Sequence, residues 1–245
     1  MMSRIILFSN SILNSIFPTR CSHCNSLVDD FSTPYLCSSC WNDFSFIEGP
    51  ACARCGRLFE SEETLRHSPE HICGVCRLHP PHFDQAFAVG YFEGSLREAI
   101  HQYKYRPCRA LGKPLGKWMA QHIRLLANVD VLIPVPLYVM RLKKRGFNQS
   151  LLLVYEIHKA FEIPFSYDNL LRIRPTRAQI ELSGEERVKN VAGAFDLRYP
   201  GRIAEKNVVL IDDVFTSGAT MNECSRVLKK AGASQVIACT LARAF

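Results

Sequence analysis

Val208-Val-Leu-Ile-Asp-Asp-Val-Phe-Thr-Ser-Gly-Ala-Thr220 reads as a strand, a loop and the start of a helix. Val208 to Ile211 form an uninterrupted apolar run, the pattern of a parallel strand buried on both faces. Met221 to Ala231 carry a helical pattern that stops at Gly232, a residue suited to ending a helix. Between the two, Thr216, Ser217, Gly218, Ala219 and Thr220 offer hydroxyls and closely spaced N–H groups at a helix N-terminus, which suits a phosphate dianion. Gly218 permits close backbone approach. Asp212 and Asp213 stand at the strand tip, where carboxylates accept hydrogen bonds from vicinal ribose hydroxyls and help to hold a hydrated Mg²⁺. A bare Thr-Ser-Gly would be an ordinary capped turn. Four apolar residues, two acids, two apolar residues and then Thr-Ser-Gly-Ala-Thr make a far more restrictive pattern.

Upstream, Val131-Leu-Ile-Pro134 reads as a second buried strand, and Val135-Pro136-Leu137 as the loop leaving its tip. Arg141, Lys143, Lys144 and Arg145 follow within five residues, either as a solvated face or as contacts to a polyanion. Phe147 reads as core. Lys104, between Tyr103 and Tyr105 and before Arg106, fits a phosphate contact or a helix edge with a buried aromatic side. Arg174, Arg177, Gln179 and Arg187 fall in a polar segment between strands, where a lid over a ligand is expected. His101, His122 and His158 read as ordinary surface or satisfied residues.

Eight of the eleven cysteines lie between Cys21 and Cys76, as Cys21-x-x-Cys24, Cys37-x-x-Cys40, Cys52-x-x-Cys55 and Cys73-x-x-Cys76. Two residues between thiols let both sulfurs converge on one ion, and tetrahedral zinc needs two such knuckles. Two structural Zn²⁺ sites follow. Sequential pairing is preferred, with first-to-third pairing left open; His23, His67 and His71 are nearby substitutes. A disulfide framework would need an oxidising compartment that nothing in the N-terminus indicates. Four thiolates fill the coordination sphere and leave no place for a reacting water, and so short a segment has too little apolar material to fold unaided.

The chain has 245 residues, 47% of them hydrophobic and 22% charged, enough for a packed core. Residues 1–80 carry a net charge of −2 and the remainder +9, so the C-terminal part suits polyanionic partners, phosphorylated metabolite or nucleic acid. Ile5 to Phe17 are spaced for an amphipathic helix over residues 1–17, docked on its own protein, with a membrane surface as the alternative. The run Ile5–Phe8 is too short for a secretory core, and no stretch is long enough to span a bilayer, so the protein reads as cytoplasmic.

Taken with Tyr103-Lys104-Tyr105, Arg145-Gly-Phe-Asn-Gln149 and the spaced set Thr176, Gln179, Leu182, Arg187, Asn190 and Phe195, the motif at 208–220 resembles the ComF/GntX family. That family joins an N-terminal double zinc ribbon to a type I phosphoribosyltransferase-like domain. The resemblance implies an α/β fold, a parallel sheet flanked by helices with a hood over the strand tips at 82–245, behind a zinc-ribbon module at 18–80. It implies binding of 5-phosphoribosyl diphosphate with Mg²⁺ at Asp212, Asp213 and Thr216–Thr220, with Val135 and Pro136 as the pyrophosphate loop and Lys104 as a further contact. Lys104, Arg145 and Arg174 are the candidates for catalysis. Purine-salvage relatives often carry an Asp just before the loop glycines; Thr216 stands there here, which weakens a nucleobase acceptor. The likeness to ComF also implies single-stranded DNA and the competence machinery as partners, in DNA uptake, with or without catalysis.

Overall fold

A computed structural model describes residues 19–30, 32–61, 70–105, 108–123, 128–177 and 184–245. The expected N-terminal helix, His67, Arg106, Gln179 and Leu182 lie outside the described residues. Strands β1 (Gln85–Tyr91), β2 (Val131–Pro134), β5 (Asn207–Phe215) and β6 (Gln235–Arg243) form a wholly parallel sheet in the order β1-β6-β5-β2. Strands β3 (Leu170–Arg172) and β4 (Phe195–Leu197) make a separate antiparallel pair.

The apolar run at 208–211 occupies an inner strand, and its residues alternate between two cores as the pleat requires. Val209 and Ile211 face one core, with Leu96, Ile100 and Tyr103 of helix α3 (Gly94–Tyr105), Leu115 and Met119 of α4 (Gly112–His122), and Leu153 and Ile157 of α6 (Gln149–Phe161). Val208 and Leu210 face the other, with Met221, Cys224 and Leu228 of α8 (Ala219–Lys230), Val191 of α7 (Gly184–Val191), and Leu170 and Phe195 of the β3–β4 pair. The expected parallel sheet flanked by helices is therefore present.

Two boundaries differ from the sequence reading. Strand β5 does not stop at Ile211 but runs to Phe215, because β6 is long enough to pair Thr240, Ala242 and Arg243 with Asp212, Val214 and Phe215. The acids thus sit within the last turn of the pleat rather than beyond it. Helix α8 begins at Ala219, two residues before Met221, because Gly218 at φ +76° already turns the chain into it.

The cysteine-rich segment shares the main core rather than folding alone. Val28, Leu36 and Phe44 are buried in the α3–α4–α6 cluster, and Phe44 packs edge-on against Trp118 with centroids 5.3 Å apart. Residues 45–47 also bond to the outer edge of β1, through Ile47 N–H to Val89 O (2.9 Å) and Tyr91 N–H to Ser45 O (3.1 Å), which covers an otherwise open strand. On the opposite edge, Leu132 N–H bonds to Pro164 O and Ser166 N–H to Leu132 O, both at 2.9 Å.

Gly90 marks a tight point of this packing. A Cβ there would lie 2.5 Å from Leu96 Cδ2, 2.9 Å from the Trp118 ring and 3.0 Å from Ser45 O. Gly90→Ala is expected to destabilise the protein by about 1–3 kcal/mol, the ordinary cost of overpacking, read as a lowered denaturation midpoint in urea.

Candidate functional site

A cavity of about 490 Å³ opens where β2 and β5 end. Its floor is Asp212 and Asp213. Lys104, in the last turn of α3, places Nζ 2.6 Å from Asp213 Oδ1. Asp212 Oδ1 accepts from Ser150 Oγ and from the Asp213 amide, both at 2.9 Å. Burial first, and then the neighbouring Asp213 charge, push the Asp212 carboxyl up to about 6. Two carboxylates thus share a small space in which one is matched by an ammonium and the other receives neutral donors.

Ser150 is brought there by a local device. Gly146, at φ +77°, ends helix α5 (Val139–Arg145) by donating its N–H to Leu142 O at 2.8 Å, and Asn148 then caps α6 by accepting from Ser150 N–H at 3.0 Å. The Asn148 amide group donates to Val135 O at 3.1 Å, fixing the α6 start against the loop that leaves β2. Gln149 and Tyr103 lock α6 to α3, the Tyr103 hydroxyl donating to Gln149 O at 2.8 Å.

The walls are cationic. Arg141, Lys144 and Arg145 line the cavity from α5, Arg172 from β3 and Arg187 from α7, so the β3–β4 pair and α7 form a hood beside the strand ends. Arg145 also donates to Gln149 Oε1 at 3.1 Å. Arg172 donates to Thr176 Oγ1 and lies 5.2 Å from the Phe195 ring centroid; burial, and then Arg141, push its pKa below the ordinary guanidinium value. Thr216 and Thr220 complete the lining from the β5–α8 turn, together with Val135, while Ser217 is exposed. Gly218 needs its left-handed backbone and its lack of a side chain, since a Cβ would lie 2.5 Å from Phe215 Cζ.

Of the residues singled out in the sequence, Lys104, Val135, Arg145, Asp212, Asp213, Thr216 and Thr220 line this one cavity. Pro136, Gly218 and Ala219 belong to its two loops without lining it. Arg174 turns away, donating to Asn190 O and Ala192 O within the hood, and Arg177 N–H bonds to Asn190 Oδ1 at 3.0 Å. Phe147 packs against the core, and His122 and His158 bond to the carbonyls of Trp118 and Ile163. His101 instead lines the cavity, as do Gln149 of the 145–149 motif and Ser150 and Arg172, the last two passed over by sequence reading. The Asn-Gln-Ser run after Gly146 is a helix-start signal that points to Ser150.

The knuckles pair sequentially. Cys21, Cys24, Cys37 and Cys40 form one cluster and Cys52, Cys55, Cys73 and Cys76 the other, with all sulfurs of a cluster within 4.8 Å. Cys24 and Cys37 sulfurs are 3.6 Å apart, Cys55 and Cys73 sulfurs 3.8 Å. A tetrahedral ion with Zn–S bonds of about 2.3 Å would space its sulfurs by about 3.8 Å, so the donors fit zinc. The same hairpin is built twice: Cys21 N–H bonds to Ser26 O and Cys52 N–H to Arg57 O, and Asn25 and Gly56 occupy the left-handed position after each knuckle. Burial raises the Cys52 thiol pKa, but hydrogen bonds from the Cys55, Cys73 and Arg54 amides outweigh it and bring it down to about 7. Hydrogen bonds from Ser26 bring Cys24 down to about 6, whereas burial pushes Cys40 and Cys76 up. Four neighbouring thiols cannot all ionise without a cation between them.

The double zinc ribbon domain family matches residues 12–77, and the phosphoribosyl transferase domain family residues 147–244. Competence protein F of Haemophilus influenzae is 30% identical over 237 residues, covering 94% of this chain and 99% of that protein. This chain belongs to the competence protein F family. The DNA utilization protein YhgH of Escherichia coli K12 is 29% identical over 220 residues, covering 84% of the chain and 95% of its own length. Among solved structures, a glutamine phosphoribosylpyrophosphate amidotransferase from B. subtilis complexed with ADP and GMP aligns at 26% identity and a TM-score of 0.36. That alignment takes 52% of this chain and 25% of that one, too partial an overlap to bear on function. The family resemblance read from residues 103–105, 145–149 and 208–220 is thereby borne out. This chain carries the phosphoribosyltransferase fold and two zinc-ribbon-like four-cysteine sites that support structural zinc.

Metal analysis of the purified protein is expected to give two zinc ions per chain, one for each cluster. Cys52→Ser should lower that to one, because the other cluster draws its ligands from different knuckles; a value that stays at two counts against the second site.

Proposed function

We propose that this protein binds 5-phosphoribosyl diphosphate in the cavity at the end of β5 and transfers the phosphoribosyl group to a nucleophile, releasing pyrophosphate. The carrying observation is the convergence of Asp212, Asp213, Lys104 and the Thr216–Thr220 turn on one cavity with cationic walls. The bond from the anomeric carbon to the pyrophosphate oxygen breaks as the bond to the acceptor forms, so the ribose gains positive character and the leaving group negative charge. The turn at Thr216–Thr220 would receive the 5-phosphate on its N–H groups and hydroxyls. Arg141 and Arg145, next to the loop at Val135 and Pro136, would meet the leaving diphosphate, where fixed cations act most in the transition state. Asp212 and Asp213 would accept the ribose hydroxyls and hold Mg²⁺. The imbalance at Asp212 suits a cation, whose contribution when bound is to neutralise the diphosphate. Lys104 holds Asp213 in place. Arg174, tied to hood carbonyls, would act on the shape of the hood rather than on the ligand.

Asp212→Asn with Asp213→Asn is expected to weaken Mg²⁺-dependent binding of 5-phosphoribosyl diphosphate at least about 100-fold, since two charged hydrogen-bond acceptors are lost. Calorimetry reads this directly, and unchanged affinity would sink the proposal. A pyrophosphate-release screen against candidate nucleophiles identifies the acceptor class. The raised Asp212 value adds a pH signature: affinity should climb as pH rises through about 6, where the carboxylate forms. Over the same span this group's contribution to stability falls, because the folded protein holds a proton that the unfolded chain has already released.

A second reading rests on Lys143 and Lys144, both exposed on α5, the second of them lining the cavity. Together with the names of the relatives, this basic face supports single-stranded DNA as a ligand during uptake in the cytoplasm, beside competence machinery. Lys143→Ala with Lys144→Ala should weaken single-stranded DNA binding and flatten its dependence on salt by about two phosphate contacts. Binding that does not respond to salt would dismiss this reading while leaving the transferase intact.

A further inference from the structure

The second four-cysteine cluster lies on the same end of the sheet as the cavity, and one side chain joins them. Arg243, the last residue of β6, is 7% exposed. Its guanidinium donates to Cys55 O and lies 4.4 Å from the centroid of the Phe215 ring. Phe215 is its cross-strand partner in the sheet and is 4% exposed. The far side of the contact is the turn itself, since the Phe215 ring fills the space that a side chain on Gly218 would need. The knuckle is pressed equally hard on the sheet. Arg54 O accepts from the Ala86 amide at 2.7 Å, and Gly56 comes so near β1 that a Cβ would meet Ala86 O at 2.5 Å.

We infer that Arg243 is a positioning residue, which fixes the shape of the 216–220 turn through Phe215 and ties that shape to the metal-bound state of the Cys52–Cys76 cluster. A buried guanidinium requires compensation for lost hydration. Four thiolates around a divalent ion carry two net negative charges, and the Cys55 carbonyl beside them supplies an acceptor. With the metal gone nothing draws the four sulfurs together, the Cys52–Cys55 knuckle loses its fixed shape, and the Cys55 carbonyl no longer holds the guanidinium over the ring. Phe215 is then freed to shift against Gly218, and the turn loses its preset geometry. The knuckle thereby gains a role beyond stability, as the support for a ligand loop from which it is far removed in sequence. This inference rests on reading the turn as the phosphate-binding loop of the proposed function.

The test is amide hydrogen exchange at residues 216–221, which needs neither ligand nor turnover, with zinc content measured alongside. Arg243→Met is expected to exchange roughly tenfold faster there than the unaltered protein while keeping both zinc ions, the loss of one cation–ring contact and its hydrogen bond. Removing zinc from the unaltered protein with a chelator should give a similar acceleration, and removing it from Arg243→Met should add less than about twofold, because the link is already cut. Phe215→Leu leaves Arg243 and Cys55 in place and should loosen the same amides, so it carries the test if Arg243→Met fails to fold or loses metal. Exchange in Phe215→Leu that matches the unaltered protein overturns the inference. So does chelation that accelerates Arg243→Met as strongly as the parent. Calorimetry with 5-phosphoribosyl diphosphate and Mg²⁺ separates the two ideas: absence of binding by the unaltered protein removes the proposed function, and the exchange result still decides the coupling.

Discussion

Strand β5 is sealed on both faces by apolar residues, so polar groups can enter it only where its flanking helices fall away. That constraint places Asp212 and Asp213 at one end of the sheet and nowhere else. Once two carboxylates are there, the surroundings must answer them. Lys104 arrives from α3, Ser150 from the capped start of α6, and the arginines from α5 and the hood. Removing the acids would leave Lys104 without its ion-pair partner beside a group of arginines. The charge arrangement of the cavity is therefore a consequence of where the buried strand ends, and it is the arrangement that a diphosphate ester with a divalent ion would complete.

The parts of this design that are local in the chain are legible in the sequence. The 208–220 run encodes its own strand, acids and turn within thirteen residues, and the gaps between knuckles favour sequential pairing without deciding it. What escapes is set by distance. Arg172 reaches the cavity only because β3 is packed beside it, and nothing in its immediate neighbours announces that; the helix start at Asn148–Ser150 is a local signal, but the cavity it opens onto is not. Strand β5 reads too short for a related reason, since its last residues are held by pairing with Thr240–Arg243 and not by their own hydrophobicity. Arg174 illustrates the converse. Its charge and its position between strands make it look like a ligand contact, but the folded hood spends those donors on its own carbonyls.

The cysteine-rich segment and the sheet depend on each other for their packing. Val28, Leu36 and Phe44 are not a private core but a layer of the main one, and residues 45–47 extend β1. Neither portion is finished without the other. That is a different situation from a bead tethered by a linker, and it accounts for a short metal-binding segment that keeps its form with so little apolar material of its own.

The doubled hairpin carries a last consequence. Asn25 and Gly56 adopt the same backbone twist after equivalent cysteines, yet only Gly56 has a carbonyl pressed against the place where a side chain would grow. The two halves of the ribbon are therefore alike in plan but unequal in tolerance. Residues 52–58 grafted over 21–27 would meet no steric barrier at that position, whereas the reciprocal graft would drive an asparagine into the edge of the sheet.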